Sequence, residues 1–254
     1  YGFLSKSKFK LEPSVEILNG FESILTKSKP VVFVFPVFLA VGGVERNTIE
    51  IIKQLKDHYD FVVITFERLG ESHGSLHHQF LNSCVGLYDL TEMSSHQEIL
   101  SYLDFLNEVY EPRVVWICNG SPWLAANTSN LRHLFSNSAI VDQQVYDVDA
   151  GWVQVYKKQD PGLLAFDRFI AINSKIKEVF TNEIKIDAKN VDLIYSVMSA
   201  DKRASAIVNT RESLCEKYGL NSKQKYFAFI GRLTPQKAPL DLLKLIKLFV
   251  DRGY

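Results

Sequence analysis

The chain has 254 residues, of which 46% are hydrophobic and 23% charged, enough for one large domain or for a domain of about 200 residues with part of another. Its 29 basic and 29 acidic residues cancel, so no net field draws it to nucleic acid, and no apolar run approaches the roughly eighteen residues that span a bilayer. Cys84, Cys118 and Cys215 are far apart, with no CxxC and no Cys/His spacing for zinc, which fits a reducing compartment.

The first residue is Tyr1 rather than Met, so we expect the chain to begin inside a longer polypeptide. Residues 1–30 read as an N-terminal extension or edge segment. Within it Phe3-Leu4-Ser5-Lys6-Ser7-Lys8-Phe9-Lys10 interleaves apolar and basic residues. That pattern suits a loose terminus with solvated lysines or a peripheral contact with a membrane surface.

From there, short Val-, Ile- and Phe-rich runs alternate with helical patterns, the signature of a parallel sheet with crossover helices. Val31–Phe35 is the clearest first strand, and Val44, Thr48, Ile51, Ile52 and Leu55 share one face of the helix that follows. Phe61–Phe66 and Val85–Leu90 read as strands, His96–Tyr110 as a helix closed by Pro112, and Val114–Cys118 as the next strand. A helix over Pro122–Phe135 precedes a strand at Ala139–Val141. Phe169–Ile172 leads into a helix over Lys175–Phe180 with Ser174 as its N-cap, and Val191–Tyr195 ends the series. The domain therefore runs over residues 1–200. Small polar residues mark an interdomain passage at 201–222, which holds a short helix at Arg211–Tyr218 stopped by Gly219. Residues 223–254 open a second, incomplete domain: a strand at Tyr226–Ile230, then a largely apolar helix over Leu240–Arg252.

Two loops carry chemistry. In Val41-Gly42-Gly43-Val44-Glu45-Arg46 the glycines let backbone approach a ligand, and the free N–H groups of the helix start favour negative charge. Glu45 suits the helix dipole there; a plain tight turn is the alternative reading. The dinucleotide fingerprint GxGxxG is absent, which disfavours a nicotinamide dehydrogenase. In Gly231-Arg232-Leu233-Thr234-Pro235-Gln236-Lys237-Ala238-Pro239 an arginine fork and a lysine on one stiffened loop suit a diphosphate, against the alternative of solvated loop charges.

Together the loops resemble the GT-B glycosyltransferases, in particular retaining family 4. The first is similar to their G-G-x-E/A-R loop and the second to G-R-L-x-x-x-K-x-P, about 190 residues apart, and the resemblance covers Val31 to the end. It implies an α/β fold: a Rossmann-like parallel sheet flanked by helices as acceptor-binding domain, with the truncated start of a second Rossmann-like, donor-binding domain. It implies that Arg232, Lys237, Gly42 and Gly43 hold the donor diphosphate. The family's E-x7-E segment would lie beyond Tyr254, so the chain as given is expected to be inactive alone.

At the carboxyl ends of strands, where the cleft should lie, Asn119, Ser121, Gln143 and Asn173 join Glu45 as acceptor-side candidates. Asp142, the catalytic candidate, stands where many members of the resembled family carry a histidine or aspartate close to the transferred sugar; a cap or turn role is the alternative reading. Tyr146, Trp152 and Tyr156 read as an acceptor surface or as core, and His73, His77 and His78 as a polar loop without metal. The implied activity is sugar transfer from a nucleotide-sugar to a glycan or lipid-linked hydroxyl. No cofactor or metal is expected, and the setting is cytoplasmic, in polysaccharide biosynthesis, with peripheral contact at the inner membrane face. The alternatives are a non-catalytic acceptor- or partner-binding fragment and a sugar-nucleotide epimerase.

Overall fold

A computed structural model describes residues 29–70, 73–93, 95–145, 166–196, 210–231, 233 and 237–253. The chain divides into two compact units, Tyr1–Ser199 and Ala200–Tyr254.

The first unit is built on seven strands: β1 (Val31–Pro36), β2 (Asp60–Thr65), β3 (Gly86–Asp89), β4 (Val114–Cys118), β5 (Ala139–Gln144), β6 (Arg168–Ala171) and β7 (Val191–Leu193). They form one sheet in the order β3-β2-β1-β4-β5-β6-β7, every pair parallel. It is a Rossmann-like α/β sheet flanked by helices. β1 and β2 are buried along their whole length, which is why they read as unbroken apolar runs rather than alternating ones.

Helices cover both faces. α1 (Gly43–Leu55) follows β1 and lays Ile49 and Ile52 on Val32, Val34, Val63 and Trp116. Crossing the opposite face, α3 (His96–Tyr110) brings Leu103 and Leu106 onto Phe33, Phe35, Ile64 and Val115. Between α1 and α3 lies the short α2 (His77–Leu81). Each large apolar side chain so covered contributes about 1.5–3 kcal/mol relative to exposure. Beyond β4 come α4 (Pro122–Ala126) and α5 (Thr128–Leu134), and beyond β6 comes α6 (Ser174–Glu178).

From β1 the chain moves outward through β2 and β3, then returns to lay β4 to β7 on the other side. The direction reverses between β1 and β4, and a crevice outside the carboxyl ends at such a reversal is where open α/β sheets bind ligands. Register brings Pro36, Cys118 and Gln143 level across β1, β4 and β5.

Four expectations need correction. The helix over Pro122–Phe135 is two helices, because Asn127 leaves helical geometry at φ −121° and ψ 17° and its side-chain amide donates to Trp123 O at 2.8 Å. An Asn side chain competes with the backbone ladder in this way. The fifth strand runs on to Gln144, so Asp142 lies inside it rather than after it. The N-cap of α6 is Asn173, not Ser174: Asn173 Oδ1 accepts from Ile176 N–H at 2.9 Å, and a π-turn over Val179–Glu183 continues α6.

The fourth correction falls in the second unit. Tyr226–Ile230 forms no strand, and Phe227 and Ile230 are 84% and 94% exposed. An extended segment becomes a strand only when a neighbour takes its backbone groups, and the described residues of that unit supply none. Two helices do form there, α7 (Arg211–Lys217) and α8 (Pro239–Asp251). Gly219 at φ 62° closes α7, with Leu220 N–H reaching back to Cys215 O at 2.7 Å.

Candidate functional site

The glycine turn sits at the carboxyl edge beside the reversal. Gly42, in extended geometry, caps α1 without a side-chain hydrogen bond, and Glu45 occupies its first turn. The first intrahelical bond runs from Arg46 N–H to Gly42 O at 3.3 Å, so the backbone ladder of the helix begins there and does not take up the N–H groups ahead of it. The two glycines differ. A Cβ on Gly42 would lie 2.0 Å from Glu45 Oε2, whereas one on Gly43 would meet nothing within 4 Å. A side chain at Gly42 would therefore displace the Glu45 carboxylate, which is folded beneath it and only 4% exposed. Gly43 faces open space and is exposed. Its missing side chain leaves room for something outside the fold.

Under the turn lies a buried polar layer. Cys118 carries a thiol pushed well above its usual range by burial, with the Thr48 side chain bonding it in opposition and the charges of Glu45 and Asp142 adding to the rise. Thr48 Oγ1 donates to Val44 O at 3.0 Å. Cys84 is likewise raised to about 12 by burial. Neither is a nucleophile at neutral pH.

The strand-end candidates are held in the framework. Asp142, 0% exposed, accepts from Gln144 Nε2 at 3.0 Å on both carboxylate oxygens. Gln143 Oε1 accepts from Trp116 Nε1 at 3.0 Å. Asn119 adopts a left-handed conformation, φ 70°, while its backbone N–H donates to Gln143 O at 2.6 Å and its Oδ1 accepts from Val145 N–H at 3.2 Å. Ser121 caps α4, its Oγ accepting from Leu124 N–H at 3.1 Å. With Asn173 capping α6, these side chains lock β4, β5 and β6 at the edge.

In the second unit, Lys237 is exposed and its stem runs close to Gly231, where a Cβ would lie 3.7 Å from Lys237 Cγ. Ala238, at φ 48°, precedes α8 in a left-handed conformation that a non-glycine residue rarely takes. Arg232, Tyr146, Trp152, Tyr156 and the segment 1–10 lie outside the described residues.

Sequence reasoning missed a second cluster at the same edge. Trp123 stacks on Phe66 at 5.0 Å and 7°, and His96 lies against Trp123 at 5.3 Å. His96 Nε2 bonds Asn127 Oδ1. Phe66 follows β2, His96 opens α3 and Trp123 lies in the first turn of α4, so three separate strand ends converge. The usable signal was positional: an aromatic or histidine in the segment that follows each of β2, β3 and β4, at Phe66, His96 and Trp123. Beside Phe66, Glu67 carries a carboxyl raised by partial burial. Among the described residues no group of three His, Cys, Asp or Glu is placed to hold a metal ion, and no helix is long and apolar enough to cross a membrane.

No protein-family model matches the sequence, and no curated protein matches it. Solved structures do. A glycosyltransferase from Rickettsia africae superposes with a TM-score of 0.55 at 19% identity, over 78% of this chain and 51% of that one. HepE from Anabaena, solved in complex with UDP-glucose, gives 0.60 at 13% identity over 85% and 57%. The same protein with UDP and glucose gives 0.60 at 12%. The shared feature is the fold. The chain spans about half the length of these structures.

Proposed function

We propose that the chain is the acceptor-side domain, with the start of the donor-side domain, of a GT-B glycosyltransferase that moves a sugar from a nucleotide diphosphate to a hydroxyl on a glycan or lipid-linked acceptor. The observation that carries this reading is Gly43: an exposed glycine with nothing within 4 Å of its absent Cβ, at the uncapped start of a 13-residue helix. It stands at the carboxyl edge of a sheet whose fold is shared with a protein solved with UDP-glucose. A diphosphate can approach that backbone where a side chain would otherwise stand.

Negative charge grows on the leaving diphosphate as the glycosidic bond breaks. Fixed N–H groups and cations aimed at that charge lower the barrier more than a base would. In this reading the start of α1, Arg232 and Lys237 supply them, so metal is not required. Asp142 acts as a positioning residue: its buried carboxylate orients Gln144 rather than touching sugar. Retention and family 4 rest on the G-G-x-E-R and G-R-L-x-x-x-K-x-P resemblance. A cytoplasmic enzyme of polysaccharide assembly, with residues 1–10 against the inner membrane face, completes the proposal. An epimerase would need an acid and a base around the sugar, and the burial of Asp142 weighs against it.

The test is turnover with UDP-sugars by the full-length protein and by its Arg232→Ala variant. Loss of about 10²–10³ in kcat is expected when one such charge-stabilising group is removed. Near-normal turnover in the variant would remove the assignment, and sugar binding without turnover would favour the non-catalytic reading.

A further inference from the structure

The cluster around Trp123 holds an unmatched donor beside an exposed acceptor. Trp123 Nε1 is buried and has no hydrogen-bond partner among the described residues, a rare condition for a buried indole. The other half of the pair follows from the orientation of Asn127, itself 1% exposed. Asn127 Nδ2 donates to Trp123 O at 2.8 Å, and Asn127 Oδ1 accepts from Asn130 Nδ2 at 2.9 Å. The same Oδ1 meets His96 Nε2. An amide oxygen cannot donate, so His96 Nε2 carries the hydrogen. In the neutral ring, Nδ1 is then the atom that offers a lone pair. His96 is exposed, and its place as the first residue of α3 is fixed by the Ser95–Glu98 capping box behind it.

We infer that Phe66, His96, Trp123 and Asn127 form a binding subsite for a pyranoside, gripped between the Trp123 indole N–H and His96 Nδ1. A hydroxyl both donates and accepts, so neighbouring sugar hydroxyls can satisfy the indole donor and the imidazole acceptor together. The apolar C–H face of the sugar suits the half-buried Trp123 indole, which the buried Phe66 ring backs in a nearly parallel stack. None of the four residues is a lysine or arginine, which separates this subsite from a phosphate grip. Identifying the pyranoside as the acceptor rests on the transferase reading; the subsite itself does not.

The experiment titrates the 254-residue chain with methyl glycosides of glucose, galactose and N-acetylglucosamine while following indole N–H signals by NMR. The Trp123 signal is assigned by its disappearance in Trp123→Phe, which keeps the ring on Phe66. We expect that signal to move as its N–H gains an acceptor. In His96→Phe, which preserves the ring contact and removes Nδ1, the affinity should fall about tenfold, the effect of one good hydrogen bond. Unchanged melting of both variants shows that the fold is intact. A Trp123 signal that no glycoside moves, or that moves with equal affinity in His96→Phe, overturns the subsite. A signal moved by adenosine or uridine but by no glycoside overturns it in favour of a nucleobase. UDP is titrated in parallel: failure to move the Gly43 amide while a glycoside still moves Trp123 counts against the transferase reading alone.

Discussion

At the residue scale the two glycines of the turn make opposite predictions. Gly42→Ala places a methyl 2.0 Å from Glu45 Oε2, so the buried carboxylate must leave its place. Overpacking of this kind costs about 1–3 kcal/mol, which a lowered midpoint in denaturant would register. Adding Glu45→Ala should restore part of the loss, because the clash is with that side chain. Gly43→Ala meets nothing and removes backbone entropy from a helical position, so stability should hold or rise by up to about 1 kcal/mol. Its affinity for UDP should nevertheless fall, since the methyl occupies the approach to the start of α1. A Gly43→Ala variant that binds UDP as well as the parent would show that the open space is not the ligand's. The doublet Gly42-Gly43 was visible in the sequence as one motif; the division of labour was not, because it depends on where the Glu45 side chain folds.

At the element scale, β3 and α3 are joined through tyrosines. Tyr88 OH bonds Tyr110 OH, and Tyr102 packs on Tyr88 at 6.1 Å. Gly86 permits this, since a Cβ there would lie 2.9 Å from Tyr110 Oη. Burial raises all three phenols above their ordinary value near 10, Tyr110 to about 12. Their folded-state values exceed the unfolded ones, so the stability they hold is complete below pH 10 and is lost as pH rises through the folded values. Alkaline titration should therefore show phenolate absorbance from these residues appearing together with loss of helical circular dichroism. Phenolate that forms while the fold stays intact would contradict the arrangement. The opposite sign holds for Asp89. Partial burial opposes ionisation there, but bonds from Arg68 and Thr91 outweigh it and hold the carboxyl below its ordinary 3.8. Its contribution is present above that value and fades as pH falls below it. Strands and long helices such as α3 were legible because period and apolar content act along the chain. The break at Asn127 and the cap at Asn173 were not, because each is a contest between a side chain and the helix backbone that context decides.

At the scale of the whole molecule, the two units differ in what covers them. The sheet of the first is sandwiched between two apolar clusters, and that much was legible, since buried strands alternating with amphipathic helices allow few other arrangements. Much less of the candidate site was legible. Strand ends could be located, but which side chains face outward depends on bonds such as Gln144 to Asp142 that only the assembled sheet creates. In the second unit, Cys215 is the one buried side chain among the described residues, and α8 buries none. Ordering a residue costs about 1.5 kcal/mol in conformational entropy, and a helix of 13 residues is at the margin of stability in water without packing. The expression of Tyr1–Ser199 alone should therefore yield a protein that unfolds in one cooperative transition, with a midpoint close to that of the whole chain. Ala200–Tyr254 alone should show no cooperative transition and only partial helicity. Calorimetry on the two fragments measures both. A sharp, independent transition in Ala200–Tyr254 would mean that Leu240, Leu243, Ile246 and Phe249, all exposed, are covered in solution by packing within that fragment.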